Sequence, residues 1–212
     1  MWRAGGFEPR GDQPRYFNDV WRSRDGTNWQ RVTAAAPWTP KAGARLIPFR
    51  DSLWLVGGQP NDGSVWSTRD GVTWVAHRET GLPPASPQTV VAFDGALWIL
   101  GHGRWDGATN DVWTSSDGAH WRRVLAAAPW AARTDPGVAV AGGRIWLIAG
   151  AGHRDVWSSP DGQEWVRSSA DLPGPPRTAN FIVSNRDAVW VFGGKTGGEG
   201  GTGFWDGIYM LR

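Results

Sequence analysis

The chain has 212 residues, enough to bury a core in one domain or one repeat array, and a formal net charge of +2. It has 30 glycines, 15 prolines and 17 tryptophans but no cysteine, which excludes disulfides, thiolate metal sites and a cysteine nucleophile. No apolar run reaches the ~18 residues of a membrane span, no Lys/Arg block predicts nucleic-acid binding, and the first residues do not resemble a signal peptide. The compartment stays unknown.

One phrase occurs four times along the chain. It opens with Val-Trp and closes with a second tryptophan after an Asp-Gly pair, as in NDVWTSSDGAHW from Asn110. The copies recur about every 45 residues. An apolar string of the LWLVGG type, such as that from Leu53, stands ahead of each of the last three copies and again near the chain end. A fixed period of this length is typical of repeat architectures.

Each repeat contains the pattern of four short β-strands. The first is small and apolar, the second is of the LWLVGG type, the third begins at Val-Trp and the fourth follows Asp-Gly. The Asp-Gly pairs favour tight hairpins because glycine accepts positive φ, and prolines cluster where one repeat passes into the next. Four antiparallel strands at this period predict an all-β fold, a β-propeller of about five blades. Tryptophans on three strands of each blade would fill the space between neighbouring sheets.

The repeats span approximately residues 1–33, 38–78, 84–125, 130–169 and 176–212, which we expect to form a single propeller domain. The first repeat begins at its second strand and the last lacks a fourth strand. Three arrangements fit this pattern. The chain forms a compact five-bladed propeller with two three-stranded end blades, or part of a larger ring, or a ring completed by another copy through open blade edges.

The order of these features resembles kelch repeats, as in the central propeller of galactose oxidase. Shared features are the Gly-Gly doublet that closes the second strand and the Asn-Asp-Val-Trp that opens the third. The copper enzyme's Tyr–Cys cofactor cannot form without cysteine. The segment [Ser/Thr]-x-Asp-Gly-x-x-Trp also resembles the Asp-box of sialidase-type propellers, although it is one residue shorter. The resemblance implies that its Asp bonds its own loop, a structural role that we assign to Asp25, Trp29, Asp70, Trp74, Asp117, Trp121, Asp161 and Trp165.

Three basic residues occupy one equivalent position ahead of the first strand. These are Lys41, Arg133 and Arg177. Propeller ligands usually bind on the face formed by the loops between the second and third strands and between successive blades. We expect the three cations to converge there and to attract a carboxylate or phosphate group. The alternative is that they are exposed loop charges without a ligand.

Further candidates for the ligand face are aromatic residues and histidines in the same loops. Trp38, Trp105 and Trp130 lie outside the repeated tryptophan positions, and exposed rings there would contact sugars or partner proteins. The alternative is that they cap blade edges beneath the crossovers. His102 and His153 come from equivalent loops, but a zinc site would need further ligands, so no metal and no cofactor is predicted.

The sequence predicts a non-catalytic binding module that uses this loop face for a protein partner or a glycan, with self-association through open blade edges as a further expectation. The alternative is a glycan-active enzyme, a sialidase-like glycoside hydrolase. That chemistry needs paired carboxylates or a Tyr nucleophile with an acidic partner. Tyr209 replaces a third-strand Trp, and Tyr16 has only Glu8 and Asp12 nearby, so no catalytic residue is assigned.

Overall fold

The computed structural model of the protein shows an all-β fold. It describes residues 1–11, 13–60, 62–82, 89–101, 107–178, 181–196, 203–204 and 206–211. Within these ranges every strand and turn belongs to antiparallel sheets or their connections, and no helix is long and apolar enough to cross a membrane. The chain divides into two compact units, Met1–Gln88 with Ser116–Trp121, and Thr89–Ser115 with Arg122–Arg212.

The first unit contains two antiparallel sheets. Its strands are β1 (Trp2–Glu8), β2 (Arg15–Ser23), β3 (Trp29–Thr33), β4 (Arg45–Phe49), β5 (Ser52–Val56), β6 (Val65–Thr68) and β7 (Val75–His77). Strands β1 to β3 form a three-stranded sheet, blade 1, and strands β4 to β7 form a four-stranded sheet, blade 2. In both sheets each strand pairs with the next along the chain, as expected when short turns join the strands.

The second unit contains the remaining sheets. Its strands are β8 (Val90–Phe93), β9 (Ala96–Leu100), β10 (Val112–Ser115), β11 (Arg122–Leu125), β12 (Gly137–Ala141), β13 (Arg144–Ile148), β14 (Val156–Ser159), β15 (Val166–Arg167), β16 (Arg177–Thr178), β17 (Phe181–Ser184), β18 (Val189–Phe192), β19 (Lys195–Thr196), β20 (Gly203–Phe204) and β21 (Ile208–Leu211). Strands β8 to β11 form blade 3, β12 to β15 form blade 4, and β17, β18 and β21 form blade 5. Strands β16, β19 and β20 form a separate small sheet.

The split of the last repeat into two sheets follows from its Gly-Gly doublet. Strand β18 ends at Phe192 and β19 begins at Lys195. Between them Gly193 and Gly194 have φ values of 56° and 124°. Residues with a side chain rarely adopt these angles, and an extended strand cannot continue through them. The doublet therefore ends the second strand of this blade, which is where the sequence predicted that strand to end.

The second strand of each four-stranded blade is buried on both faces. At one matching register these strands carry Trp54, Trp98 and Trp146, which are 7%, 7% and 8% exposed. Each of them pairs with the first strand on one side and the third strand on the other. Strands covered on both faces have continuous apolar sequences rather than alternating ones. This explains the uninterrupted LWLV, LWIL and IWLI strings.

The predicted all-β β-propeller class with five antiparallel blades is confirmed. Blade 1 begins with the second strand of the repeat, and blade 5 has no fourth strand among the described residues. The assignment of residues 1–212 to a single domain stays a prediction. The same is true of the three arrangements considered for the repeat array.

Candidate functional site

The Asp-Gly turns use their carboxylates within the turn. Asp25 Oδ1 accepts the backbone N–H groups of Thr27 and Asn28 at 2.9 and 2.8 Å, and the Asn28 side-chain amide donates to Oδ2. These bonds, the side-chain bond from Asn28 most strongly, lower the pKa of Asp25 because they stabilise the charged form. The carboxylates that make the same two backbone bonds are Asp70, Asp117 and Asp161.

A tryptophan closes each of these turns. Its indole N–H donates to the carbonyl oxygen of the turn glycine at 3.0 to 3.2 Å. The four donors are Trp29, Trp74, Trp121 and Trp165. Because the Asp carboxylate and the closing indole are both bonded inside the turn, this geometry favours a structural role for the phrase.

Two of the three basic residues predicted at the ligand face, Lys41 and Arg133, form buried ion pairs. Lys41 Nζ lies 2.7 Å from Asp62 Oδ1 and 3.2 Å from Ser64 Oγ. The Arg133 guanidinium donates to both oxygens of Asp155, at 2.9 Å for the Nη2–Oδ2 contact. The Lys41 and Arg133 side chains are 1% and 2% exposed. The sequence placed them at an open channel mouth, whereas the structure buries each against a carboxylate, so their role in holding an external anion stays a prediction.

The two partner carboxylates are held in the charged form. Burial alone would raise the pKa of Asp62 and of Asp155. Hydrogen bonds from Lys41 and Ser64 outweigh burial at Asp62, and those from Arg133 and Trp157 do so at Asp155. The pKa of each carboxylate is thereby lowered to about 2. Neither acid was predicted from the sequence as a partner of a basic residue. For Asp155 a signal existed, because it is the aspartate that precedes Val-Trp in the repeated phrase.

Trp38 and Trp130 lie beneath the crossovers between blades rather than on an open face. They are 1% and 2% exposed. The Trp38 ring packs edge-on against Trp74 with 5.8 Å between centroids, and the Trp130 ring does the same against Trp165 at 4.4 Å. This burial corrects the expectation of exposed platforms and matches the alternative, in which the two rings cap blade edges.

The backbone around these two tryptophans is fixed by an asparagine of the repeated phrase. The Asn18 amide donates to the carbonyl oxygens of Ala36 and Trp38 at 2.7 and 3.3 Å. In blade 3 the Asn110 amide makes the equivalent bonds at 2.9 and 2.8 Å. An amide with two free donor hydrogens can satisfy two carbonyls at once. The Asn of Asn-Asp-Val-Trp therefore holds the following crossover in place.

Of the other residues predicted for the ligand face, the structure describes the side chain of His153 only. His153 is partly buried, and burial together with the charge of Arg133 lowers its pKa. Arg177 lies in β16, but its side chain is outside the described part of the structure, as are His102 and Trp105. Among the described residues no group of three His, Asp or Glu side chains is placed to hold a metal ion.

The third strand of blade 2 departs from the repeat at its first residues. In blades 1, 3 and 4 an aspartate precedes Val-Trp, and its Oδ2 accepts the indole N–H two residues later at 2.7 Å. Blade 2 has Ser64 at this position, and its hydroxyl donates to Asp62 Oδ1 at 2.6 Å. The Trp66 Nε1 atom is consequently buried without a hydrogen-bond partner among the described residues. The printed phrase GSVW, beside three copies of DVW, is the sequence signal for this difference.

A cavity of about 450 Å³ with both polar and apolar walls lies at this departure from the repeat, and we call it the blade-2 cavity. Its walls are formed by Pro37, Thr39, Asp62, Gly63, Ser64, Trp66, Ala76, His77 and Arg78. They combine an indole ring, a carboxylate, a guanidinium and hydroxyl groups. Such a set can pack against an apolar surface of a ligand and exchange hydrogen bonds with its polar groups.

His77 is fixed at the edge of this cavity. Its ring stacks on Trp54 with 4.8 Å between centroids, and Nε2 lies 2.9 Å from Ser67 Oγ. Burial lowers the pKa of His77 from its ordinary value of 6.5. The imidazole is therefore neutral at pH 7 and acts as a hydrogen-bonding and stacking group rather than as a cation.

The successive antiparallel blades place the chain in the class of β-propeller domains. A comparison with known families matches residues 23–173 to the DUF6242 beta propeller domain. The match covers more than half of the chain, which therefore belongs to this family. A search of curated proteins found no match. Because propellers serve many functions, the function has to be argued from the blade-2 cavity itself.

Proposed function

We propose that the protein is a non-catalytic binding module that holds a glycan in the blade-2 cavity. The observation that carries this proposal is that Trp66, Asp62 and Arg78 all line the blade-2 cavity, where they supply an indole, a carboxylate and a guanidinium. A sugar ring has an apolar C–H face that packs on an indole, and its hydroxyl groups donate to carboxylates and accept from guanidinium groups. A volume of about 450 Å³ lies within the range of small-molecule sites.

The Asp62 carboxylate has one oxygen free for a ligand. Oδ1 accepts the Lys41 ammonium, the Ser64 hydroxyl and the Ser64 backbone N–H. Oδ2 accepts no hydrogen bond from the described residues, and the side chain is 30% exposed. With a pKa of about 2 the group is ionised at neutral pH. It can therefore accept a hydrogen bond from a sugar hydroxyl, and a charged acceptor makes the stronger bonds.

Arg78 supplies the complementary donor. Its side chain is exposed and makes no hydrogen bond or ion pair with the described part of the chain. The guanidinium carries five N–H donors in a planar fork. A sugar seated between Arg78 and Asp62 would meet donors on one side and an acceptor on the other, which is a pattern that neighbouring hydroxyl groups fit.

The same geometry supports binding over sialidase-like hydrolysis. A general acid must hold a proton at neutral pH, whereas Asp62 is ionised and is the only carboxylate among the described wall residues. Outside the cavity, Glu8 bonds Arg10 at 3.0 Å and the Tyr16 ring packs near Phe7 at 6.3 Å. Among the described residues neither Glu8 nor Tyr16 has a hydrogen bond or ion pair with a second carboxylate.

As part of this proposal we assign the repeats to the kelch type. The Gly-Gly doublets and the Asn-Asp-Val-Trp strand openings support this assignment. The bonds of Asp25 to its own turn support the likeness of the Asp-Gly turns to a shortened Asp-box. Both families place such turns away from the ligand face, which agrees with a glycan site built from other residues.

A glycan array followed by calorimetric titration of the best ligand tests the proposal. Arg78→Ala should weaken binding about tenfold, the effect of one lost charge-assisted hydrogen bond. Asp62→Asn should also weaken it, because the amide cannot replace a charged acceptor. Unfolding curves of both variants establish that the fold is retained.

The matched control is Arg186→Ala, which removes an exposed guanidinium from a turn in blade 5 and should leave the affinity unchanged. The proposal fails if no glycan binds. It also fails if Arg78→Ala and Asp62→Asn bind the selected glycan as tightly as the wild type.

A further inference from the structure

Tryptophans of one sheet pack on the glycines of Asp-Gly turns in a repeated contact. A Cβ atom on Gly71 would lie 2.3 Å from the Trp2 ring, one on Gly118 would lie 2.6 Å from Trp54, and one on Gly162 would lie 2.3 Å from Trp98. The three glycines also have positive φ. Only glycine permits both the turn and the close approach of the ring. We call this the indole–glycine contact.

The turn of blade 1 has the glycine, but no indole of a described residue lies over it. A Cβ atom on Gly26 would lie 2.7 Å from the Met1 side chain instead, and a cavity of about 560 Å³ lies beside this turn. The closing Trp29 is 40% exposed, whereas Trp74 and Trp121 in the covered turns are 8% and 6% exposed. Blade 1 therefore has the glycine turn of the indole–glycine contact, and within the described part of the chain no tryptophan occupies the ring position.

The adjoining face of blade 1 carries cations around an indole. Trp21 pairs with Arg3 in β1 and with Arg31 in β3, and the Arg31 guanidinium lies 5.7 Å from the Trp21 ring centroid. Successive residues of a strand point to opposite faces, so Arg3 lies opposite Trp2 and Ala4, which pack in the core of the first unit. We define the blade-1 face by Gly26, Arg3, Trp21 and Arg31.

Blade 5 has the converse feature, an apolar sheet face that no other described residue covers. Two rows of paired residues form it, and we define the blade-5 face by Phe181, Phe192, Ile208, Val183, Trp190 and Met210. Of these, Phe181, Ile208 and Met210 are 76%, 63% and 46% exposed. Isolated exposed apolar residues are ordinary, but a contiguous patch marks an interaction surface.

The register identifies what this face would contact. Trp190 stands between Val183 and Met210, as Trp146 stands between Ala139 and Ser158 in blade 4. It therefore holds the position from which Trp54 and Trp98 make their indole–glycine contacts. In blade 4 the positions of Ile208 and Met210 are occupied by Val156 and Ser158, which are 0% and 8% exposed.

We propose that the blade-5 face of one copy of this chain docks on the blade-1 face of a second copy, with Trp190 over Gly26. The contact would repeat, between copies, the indole–glycine packing that the described residues make three times. The chemistry of the two faces is complementary as well, because Arg3 and Arg31 would meet the aromatic rings of Trp190 and Phe192 as cation–π partners.

The size of this interface determines how strongly the copies associate, and its symmetry determines whether the assembly stops at two copies. Six side chains form a patch of a few hundred Å², below the ~800 Å² per partner of a tight complex. We therefore expect weak, concentration-dependent association. The two docking faces differ, so the interface is heterologous, and each added copy leaves one face of each kind for another.

Sedimentation velocity over a wide concentration range tests the proposal. The wild type should form dimers and larger species as concentration rises. Met210→Asp on the blade-5 face and Arg3→Asp on the blade-1 face should each give monomers. The matched control Val166→Asp places the same charge at an exposed valine of β15, 59% exposed in the wild type, and should associate as the wild type does. Near-ultraviolet circular dichroism establishes that each variant keeps its tryptophan packing.

Mixing the two docking variants gives the decisive measurement. The Met210→Asp copy keeps its blade-1 face and the Arg3→Asp copy keeps its blade-5 face. The mixture should therefore form dimers that stop at two copies. A wild type that is monomeric at every concentration overturns the proposal. So does a mixture that stays monomeric, or a Val166→Asp variant that loses association equally.

Discussion

Blades 2 and 4 each have a buried cation, a carboxylate and an indole N–H at the start of the third strand, but these groups are bonded differently in the two blades. In blade 4, Asp155 accepts two bonds from Arg133 and also the indole N–H of Trp157. One carboxylate thus satisfies a cation and an indole together. Arg133 is buried and Trp157 is partly buried.

In blade 2 the carboxylate has moved two residues toward the N-terminus. Asp62 pairs with Lys41, while Ser64 occupies the aspartate position of the phrase and leaves the Trp66 N–H without an acceptor in the described part of the chain. The ion pair is kept and the indole bond is lost. This order agrees with the energies, because an unpaired buried charge is far less favourable than an unpaired buried N–H group. The loss coincides with the blade-2 cavity.

The largest difference between the two blades should appear when the cations are removed. Arg133→Met leaves the Asp155 carboxylate uncompensated and should lower the free energy of unfolding by about 3 to 5 kcal/mol. Lys41→Met should lower it by about 1 to 3 kcal/mol, because Asp62 is 30% exposed against 14% for Asp155 and water can solvate it. Urea unfolding measures both. A larger loss for Lys41→Met would contradict the comparison.

The turn glycines should respond equally in the two blades. Gly71→Ala and Gly162→Ala each place a Cβ 2.3 Å from an indole ring at positive φ. We expect each to lower the free energy of unfolding by about 2 to 4 kcal/mol. The control Gly152→Ala has φ +77° and no atom within 4 Å, so only strain remains, about 1 kcal/mol. Losses for Gly71 and Gly162 no larger than the control would show that the rings move aside.

Acid should weaken both ion pairs over the same pH window. The pKa of Asp62 and of Asp155 is about 2 in the folded protein, against an ordinary 3.8. A carboxylate with a lowered folded-state pKa stabilises the protein above the ordinary value and loses that contribution as pH falls through the folded value. Stability should therefore fall between about pH 4 and pH 2.

The ion pairs can be separated from other titrating groups by repeating the acid titration on variants. Asp155→Asn should flatten the fall in urea stability over this window, and so should Asp62→Asn. An unchanged pH profile in both variants would assign the acid sensitivity to other groups.

The repeat architecture could be predicted because it depends on side chains that recur in one register. Trp66, Trp113 and Trp157 mark the third strands in the sequence, and the following Asp-Gly pairs mark the hairpins. Both signals are local. They can be recognised in the sequence without knowing which loop lies against which strand.

The site could not be predicted in the same way because its contacts join distant segments. Lys41 and Asp62 are separated by a whole hairpin, and only the folded blade brings the ammonium to the carboxylate. The crossover that carries the buried Trp38 is bonded to Asn18, which lies twenty residues earlier in the chain. The sequence shows that Ser64 replaces the aspartate of the phrase. Its effect on Trp66 is evident only from the structure, because the aspartate–indole bonds of the other blades are not visible in the sequence.

The smallest expected effect is the sharpest test of the difference between the blades. Trp157→Phe removes an N–H that donates to Asp155, and the lost bond should lower the free energy of unfolding by about 1 to 2 kcal/mol beyond the effect of ring size. Trp66→Phe removes an N–H that has no partner among the described residues, so relief of that buried donor should offset the smaller ring and leave stability within about 0.5 kcal/mol. Urea unfolding of the two variants in parallel measures the contrast. Equal losses would mean that the Trp66 indole has an acceptor in solution, and the account of why blade 2 differs would have to be abandoned.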